Sequence, residues 1–478
     1  YTTLASKANE FKDLLKGDQA EAIRVEIAEY ELASLGKAAE KAYQEKRYEE
    51  AIEKYKELMS RTDKEETTTI ALINIAVAYE ALDKPGEAAT YYERLYTEFP
   101  DNNFVPYAIY RVAVNSERFF EFDKASQNYL AFYDRFGDKE TPKEVVDAFS
   151  GDFIYKEKGG DALRSGAILL ENSQDYRKAA DRYVEYSKRF SDRDDADDVY
   201  WQAVQCWKKA DRTRDMLNGY ETYIDTHGST QNSLKVFTAL GELYDYYADK
   251  GDDRKAKKWY ERTLAEYASY GIKPGAPEAY YAAKAEFMLV EYEFEAWSKI
   301  KLSGNVKKQG KLLQEKIEGQ KKLTPMYEKV YAYRNLEWTL AAGFRLGNMY
   351  QQFANMLYEA PVPFPEGSEE WDIYRTQLDD IAIPLEDKAV ESYVRVVAKG
   401  RDEKIVNKWT KLSVEELNKY RRRTTRSTRR SAARSATRSR PACRCSIRSP
   451  TRSTRSLLAR RIRKEGTLET WTGTRGRE

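Results

Sequence analysis

A motif returns along this chain at a nearly constant interval, and no other feature restricts the fold as tightly. Its core is a small residue followed four positions later by tyrosine, with an aromatic residue three positions ahead in three of the six copies. The copies are Tyr48-Ala51-Tyr55, Ala88-Tyr92, Phe122-Ala125-Tyr129, Tyr176-Ala179-Tyr183, the degenerate Met216-Tyr220, and Ala256-Tyr260. The central positions are separated by 37, 37, 54, 37 and 40 residues. Three identical gaps point to a structural unit repeated in tandem. The gap of 54 is one period with 17 further residues inserted near 138–160, and the gap of 40 carries three extra residues in "YADKGDDRKA". A unit of this size cannot enclose its own apolar face, so neighbouring units must stack on one another.

Each unit holds two amphipathic helical stretches. In the second unit Leu72, Ile75, Ala76 and Tyr79 recur at helical spacing. "LDKPGE" interrupts them, with Pro85-Gly86 as the turn, and Ala88 and Tyr92 open a second helix that stops at Pro100. Small alanine suits a place where two helices cross closely, and tyrosine fills the gap beside it. These residues resemble the tetratricopeptide repeat (TPR) family. Over 69–102, Ala76, Tyr79, Ala88, Tyr92 and Pro100 stand at that family's small, aromatic, alanine, aromatic and proline positions. In the sixth unit Phe237, Leu240, Gly241 and Tyr244 carry its Leu-Gly-x-x-Tyr signature. The period is about three residues longer than the 34 usual in that family. The resemblance implies an all-α fold, a right-handed superhelical solenoid of antiparallel helix pairs. Six TPR-like repeats are expected over 32–270, with N-terminal helices over 1–31 left from a preceding repeat.

Beyond 270 the period is lost. "APEAYYAAKAEFMLVEYEFEAWSKIKL" and "VKKQGKLLQEKIEGQKKLTPMYEKVYAY" each read as one longer helix. Leu346-Gly347 and Tyr350 repeat the first-helix signature, and Ala389 and Tyr393 the second-helix one. A last repeat split by a Pro-rich loop at 360–384 is therefore expected within a long-helix region at 271–420. Long paired helices and a split final unit look similar to TPR proteins of the bacterial cell envelope, those of myxobacterial gliding motility among them. That resemblance implies a periplasmic or envelope location, with a cytoplasmic one as the alternative. The chain begins on Tyr1 rather than Met, so a processed form or a fragment is expected, with any targeting signal lost upstream.

The formal net charge of +2 conceals a division. Residues 421–478 hold 19 basic residues against three Glu, and the first 420 hold 62 basic against 76 acidic, a net of −14. The body alone should not attract polyanions. It contains one cysteine, Cys206, and one histidine, His227, which excludes a disulfide framework and leaves little material for a zinc site or a Cys–His pair. "YIDTHGSTQN" places His227 at a helix end, where a cation is favoured. No GxGxxG or GxxxxGK[ST] phosphate loop is present. Asp192, Asp194, Asp195, Asp197 and Asp198 lack the central Gly and closing Glu of a calcium loop. They precede a helix, where carboxylates cap the chain and oppose the dipole. Pairs such as Glu49-Glu50 and Asp252-Asp253 belong to a solvated face. No enzyme, metal, cofactor or small-molecule substrate is expected, and no stretch is long and apolar enough for a membrane span.

What remains is the groove. The first helix of each stacked pair lines the concave side of a solenoid. The family's groove positions, carried over residue by residue, fall on Tyr43, Tyr107, Tyr110, Glu117, Trp201, Gln205, Lys208, Glu242 and Asp245. Exposed tyrosine and tryptophan are favoured interface anchors, although some of these rings could instead pack on the neighbouring repeat. The Lys and Asn with which some TPR domains clamp a C-terminal carboxylate are missing: those positions hold Trp201 and Gln205 in the fifth unit, Thr238 and Glu242 in the sixth. The resemblance therefore implies a non-catalytic scaffold for a protein or peptide partner, and an acidic, aromatic groove suits a basic or apolar segment.

The last 58 residues, 421–478, read differently from everything before them. They hold no Asp, no Tyr and a single Lys, Lys464, amid Arg, Ser, Thr and Ala. Two readings stand. The first is a disordered basic arm that would bind nucleic acid. The second is a frameshift: in one back-translation of Tyr420–Arg426, one added base gives Tyr-Arg-Pro-Glu-Asp-Tyr-Pro, which would end the last helix in the style of the body. Uninterrupted codons at this point of the genomic DNA would refute the second.

Overall fold

The structure is a computed structural model that describes residues 18–420. The Arg-rich tail, with Cys443, Cys445 and both readings of it, lies outside the described residues. Within them every regular element is a helix. In order these are α1 (Asp18–Gln44), α2 (Tyr48–Ser60), α3 (Glu65–Ala81), α4 (Pro85–Glu98), α5 (Val105–Arg118), α6 (Phe122–Phe136), α7 (Lys143–Ala148), α8 (Tyr155–Asn172), α9 (Tyr176–Arg189), α10 (Ala196–Lys209) and α11 (Thr213–Thr222), which runs into a π-turn at Tyr223–His227. Then follow α12 (Ser233–Asp249), α13 (Asp253–Ser269), α14 (Ala279–Ser298), α15 (Val306–Lys329), α16 (Leu336–Tyr358), α17 (Glu369–Asp402) and α18 at 408–420. The chain divides into two compact units after His227. The first holds five helix pairs; the sixth pair, α12 and α13, belongs with the long helices of the second.

Each pair closes the same way. Lys46, Asp83, Phe120, Gln174, Asp211 and Gly251 all have left-handed backbone, with φ of 61°, 55°, 63°, 66°, 54° and 71°. Each stands five residues ahead of the motif's small position. The following N–H reaches back to a carbonyl five residues earlier: Arg47 to Ala42 at 2.8 Å, Lys84 to Tyr79 at 2.9 Å, Glu121 to Ser116 at 2.8 Å. Asp175, Arg212 and Asp252 do the same to Leu170, Trp207 and Tyr247, each at 2.9 Å. This is the Schellman arrangement, which satisfies the last carbonyls of one helix and turns the chain into the next. The connection is so short that the two helices must run antiparallel.

The motif residues then meet. Ala51, Ala88, Ala125, Ala179 and Ala256 are fully buried, and Tyr55, Tyr92, Tyr129, Tyr183, Tyr220 and Tyr260 nearly so. A continuous core in the first unit runs from Leu72 through Tyr129 and Phe153 to Cys206. In the second unit α14, α15, α16 and α17 enclose Phe287, Phe294, Trp297, Tyr327, Trp338 and Phe353. There a Cβ on Gly347 of α16 would stand 2.7 Å from the Tyr393 ring of α17, and the Tyr393 hydroxyl donates to Gln351.

Three expectations differ from the structure. Pro85 and Gly86, expected as the turn, open α4, and the left-handed turn residue is Asp83. Residues 18–44 form one helix, with no break at 31/32. The loop expected at 360–384 ends at Ser368, whose side chain caps α17 by accepting from the Trp371 N–H. Pro384 lies inside α17, on its exposed side. Leu378, Ala382 and Leu385 bury the opposite side of the same helix, and that packing holds it together across the proline.

Candidate protein-binding groove

In the first unit the first helices of the pairs are the C-terminal half of α1, then α3, α5, α8 and α10. Tyr43, Glu117 and Lys208 share one register, each twelve residues before the motif tyrosine of its pair and in the last turn of its helix. At Glu117 this position serves the fold, because its carboxylate accepts from the Tyr129 hydroxyl at 2.9 Å, and Glu171 accepts from Tyr183 in the same way at 2.8 Å. Burial and then the adjacent carboxylate push both tyrosines well above the ordinary phenol range. Tyr43 is half-buried, edge-on to Tyr48 with ring centroids 5.2 Å apart.

Tyr107 and Tyr110 are brought together and covered by the chain itself. The insertion folds as α7 and carries Phe149 and Phe153 back onto α5. Phe149 stacks on Tyr107 with centroids 4.0 Å apart and 20° between planes. Phe153 meets Tyr107 at 5.1 Å and Tyr110 at 5.5 Å, both edge-on. Tyr110 also meets Tyr129 and Phe132. The sequence marked the insertion by its length but held no sign of where its two phenylalanines would return. Next to this cluster the Glu80 carboxylate is held by the Arg111 guanidinium and the Asn115 amide, tying α3 to α5.

Trp201, Gln205 and Lys208 follow one another along a single face of α10. The Trp201 ring lies 5.0 Å from Tyr223 and 5.7 Å from Tyr220, and keeps part of its surface open. One turn later the Gln205 Nε2 is sheltered from solvent with no hydrogen-bond partner among the described residues. Lys208 is exposed.

Glu242 and Asp245 belong to the second unit, on α12. Glu242 is partly buried, and Asp245 accepts two bonds from Lys284 of α14 at 2.6 and 2.7 Å. The carboxylates noted on this face that pair with a cation, Glu80, Glu171 and Asp245, receive it from a following helix, from Arg111, Lys209 and Lys284. The acidic character expected from the sequence is thus partly neutralised within the fold.

Residues singled out for chemistry are occupied elsewhere in the fold. His227 ends the π-turn, with Nδ1 2.7 Å from Asp197 Oδ1 and its ring stacked on Tyr200 at 4.4 Å. Asp195 stands at the start of α10, accepts from the Tyr186 hydroxyl at 2.9 Å and pairs with Arg164 at 3.2 Å. Burial, and then Glu171, push the Cys206 thiol up to about 12, so it stays protonated at neutral pH. Among the described residues no group of three His, Cys, Asp or Glu is arranged for a metal, and no helix is long and apolar enough to cross a membrane.

Residues 37–129 match a family described as a domain of unknown function, DUF6340. No curated protein matches the chain. Among solved structures the chain is similar to MamA of AMB-1, at 12% identity over 42% of this chain and 94% of that one, with a TM-score of 0.27. It is similar to the C-terminal part of a TPR repeat-containing protein from Cytophaga hutchinsonii, at 17% identity over 48% and 94%, TM-score 0.22. It is also similar to the TPR2AB domain of yeast Sti1, solved as a complex with pHSP90, at 14% identity over 54% and 98%, TM-score 0.20. The TPR-type helix-pair repeat itself stands on the chain's own spacing, turns and buried alanine–tyrosine pairs.

Proposed function

We propose that this chain is a non-catalytic scaffold that binds an extended segment of a protein partner along the first-helix face of its repeats, with α10 as the anchoring point. The observation that carries this reading is the pairing of Trp201 with Gln205. A half-open indole is a favoured anchor for an apolar side chain. A sheltered amide donor with no partner costs about 1–3 kcal/mol until it is satisfied, and a peptide carbonyl laid along α10 would satisfy it once the Gln205 side chain turns outward. Lys208 continues the same face. Tyr43, Glu117, Glu242 and Asp245 belong to the proposal as flanking positions of their own units. Tyr107 and Tyr110 belong to it only where Phe149 and Phe153 leave an edge free.

A setting in a bacterial cell-envelope assembly is part of the same proposal and rests on the resemblance of the long C-terminal helices alone. The reading is tested with a displayed library of random peptides selected on the full chain. Selected peptides are expected to bind the chain, and Trp201→Ala and Gln205→Leu to weaken that binding at least tenfold with far-UV circular dichroism unchanged. Peptides that bind both variants as well as the parent, or a library that yields none, would overturn it.

A further inference from the structure

The turn between α5 and α6 departs from the rule that the other turns keep. At the left-handed position they carry Lys46, Asp83, Gln174, Asp211 and Gly251, which are polar or glycine. This one carries Phe120, at φ 63°. Bulky side chains avoid this backbone region, and the ring gains no burial by being there. Phe119, Phe120 and Phe122 are 51%, 78% and 45% exposed, and among the described residues they are the exposed phenylalanines. The three crowd one turn, and two of their rings are in contact. Phe120 and Phe122 meet edge to face, centroids 6.1 Å apart at 90°. Phe119 lies over Gly86 at the start of α4, so close that a Cβ there would stand 3.2 Å from its ring. Beyond the contact of Phe119 with Gly86 the fold gains nothing visible from this apolar surface, and exposed apolar clusters rimmed by polar residues mark interaction sites.

The rim is negative. Glu87, Glu121 and Asp123 are exposed. They form no ion pair among the described residues. Of the cations of this stretch Arg118 is engaged with Asp83 at 2.7 Å and Lys124 with Glu93 at 2.5 Å, and Lys84 is exposed beside Asp83. From Asp123 the surface enters a cleft of about 580 Å³ between α6 and α9. There Asp181 also has no cationic partner among the described residues, while Lys178 and Arg182 are held by Asp175 and Asp134.

We propose that the Phe119–Phe120–Phe122 knob and its acidic rim are a docking surface for a folded protein that offers an apolar pocket bordered by lysine and arginine. A convex knob needs a concave partner, which an extended peptide does not provide. The uncompensated carboxylates at its base and in the adjoining cleft fix the sign of the partner's rim. The body of a second copy, its first 420 residues, fits poorly, because it carries a net charge of −14. The surface is built from turn residues and the second helices of the pairs, so it is separate from the face of Trp201 and Gln205.

The test places photoreactive benzoylphenylalanine at position 120 of the full chain in its native cell, with the same group at position 46 as the control turn. The expected product joins position 120, but not position 46, to one other protein, inside an apolar pocket edged by Lys or Arg. Its yield should fall at least tenfold with Glu121→Lys and Asp123→Lys combined, and should persist with Trp201→Ala. Raising the salt concentration before irradiation repeats the charge test without any substitution and should also lower the yield. No product, equal products from both positions, a product with a second copy or a lipid, or a yield indifferent to charge and salt would each overturn the proposal.

Discussion

Lys316 shows how far a single residue can depart from its appearance in the sequence. In "LLQEKIEGQKKL" it is one lysine of several, and nothing in the spacing marks it. In the structure it is buried against the face of Trp297, with Nζ 3.6 Å from the ring centroid. Its ammonium donates to the Trp297 carbonyl at 2.6 Å and the Ile300 carbonyl at 3.3 Å, the open C-terminal end of α14. The Trp297 Nε1 in turn donates to the Lys316 carbonyl at 2.9 Å. Gly319, one turn later, leaves the room that the indole fills. Burial lowers the Lys316 pKa from 10.5 to about 8. The folded chain therefore releases this proton near pH 8, while the unfolded chain holds it to about 10.5. Between those values the unfolded state binds more protons, so stability rises with pH. Buried tyrosines such as Tyr55 and Tyr155, raised to about 12, act in the opposite sense above pH 10. The difference between the parent and Lys316→Met isolates the lysine. It should grow by about 2 kcal/mol in the parent's favour from pH 8 to pH 10 in urea unfolding; a constant difference would show that the ammonium is not desolvated.

At the scale of the element, the helices and their buried pairs were legible, because alanine and tyrosine recur at spacings only a helix brings together. The turns were not. Only Gly251 announces its left-handed backbone; Lys46, Asp83, Phe120, Gln174 and Asp211 adopt it under the pull of the helices they join. Packing overrides local preference here, and it leaves stability unrealised. Replacing Lys46 and Gln174 by glycine should each raise stability by about 0.5–1 kcal/mol, the relief of left-handed strain less the entropy that glycine loses on folding. The two sites belong to different pairs, so the gains should add. The converse is sharper. A Cβ on Gly251 would meet nothing within 4 Å, so Gly251→Ala tests the backbone alone. It should lower the unfolding free energy of its unit by about 1 kcal/mol. An unchanged stability would mean that these turns carry no strain. Pro384 belongs to the same lesson from the other side: a residue that reads as a helix stop is overridden where Leu378, Ala382 and Leu385 bind the helix to its neighbours.

For the whole molecule, the period displayed the array but not its division. Six units at similar spacing suggested one continuous stack, and the first-helix positions were carried across all of them alike. The structure instead gathers contacts into two units that part after His227, so Trp201 and Gln205 belong to one and Glu242 and Asp245 to the other. The sequence holds a faint sign of this. The motif is degenerate, with Met216, in the last pair before the division, and the π-turn ending at His227 closes that pair. In a repeat array each unit is stabilised by its neighbours, and cooperativity extends only as far as those interfaces remain strong. Each unit has its own core, so a tight glycine in one should affect that core first. A Cβ on Gly166 would stand 2.7 Å from Leu130, and one on Gly347 would stand 2.7 Å from Tyr393. Gly166→Ala and Gly347→Ala should each cost about 1–3 kcal/mol by overpacking. Native-state hydrogen exchange is the measurement that separates them. Gly166→Ala should speed exchange of the helices within 18–227 and leave those of 228–420 unchanged, and Gly347→Ala the reverse. Equal acceleration of both units by either substitution would mean that the array unfolds as one cooperative body, with the division after His227 a feature of contact density alone.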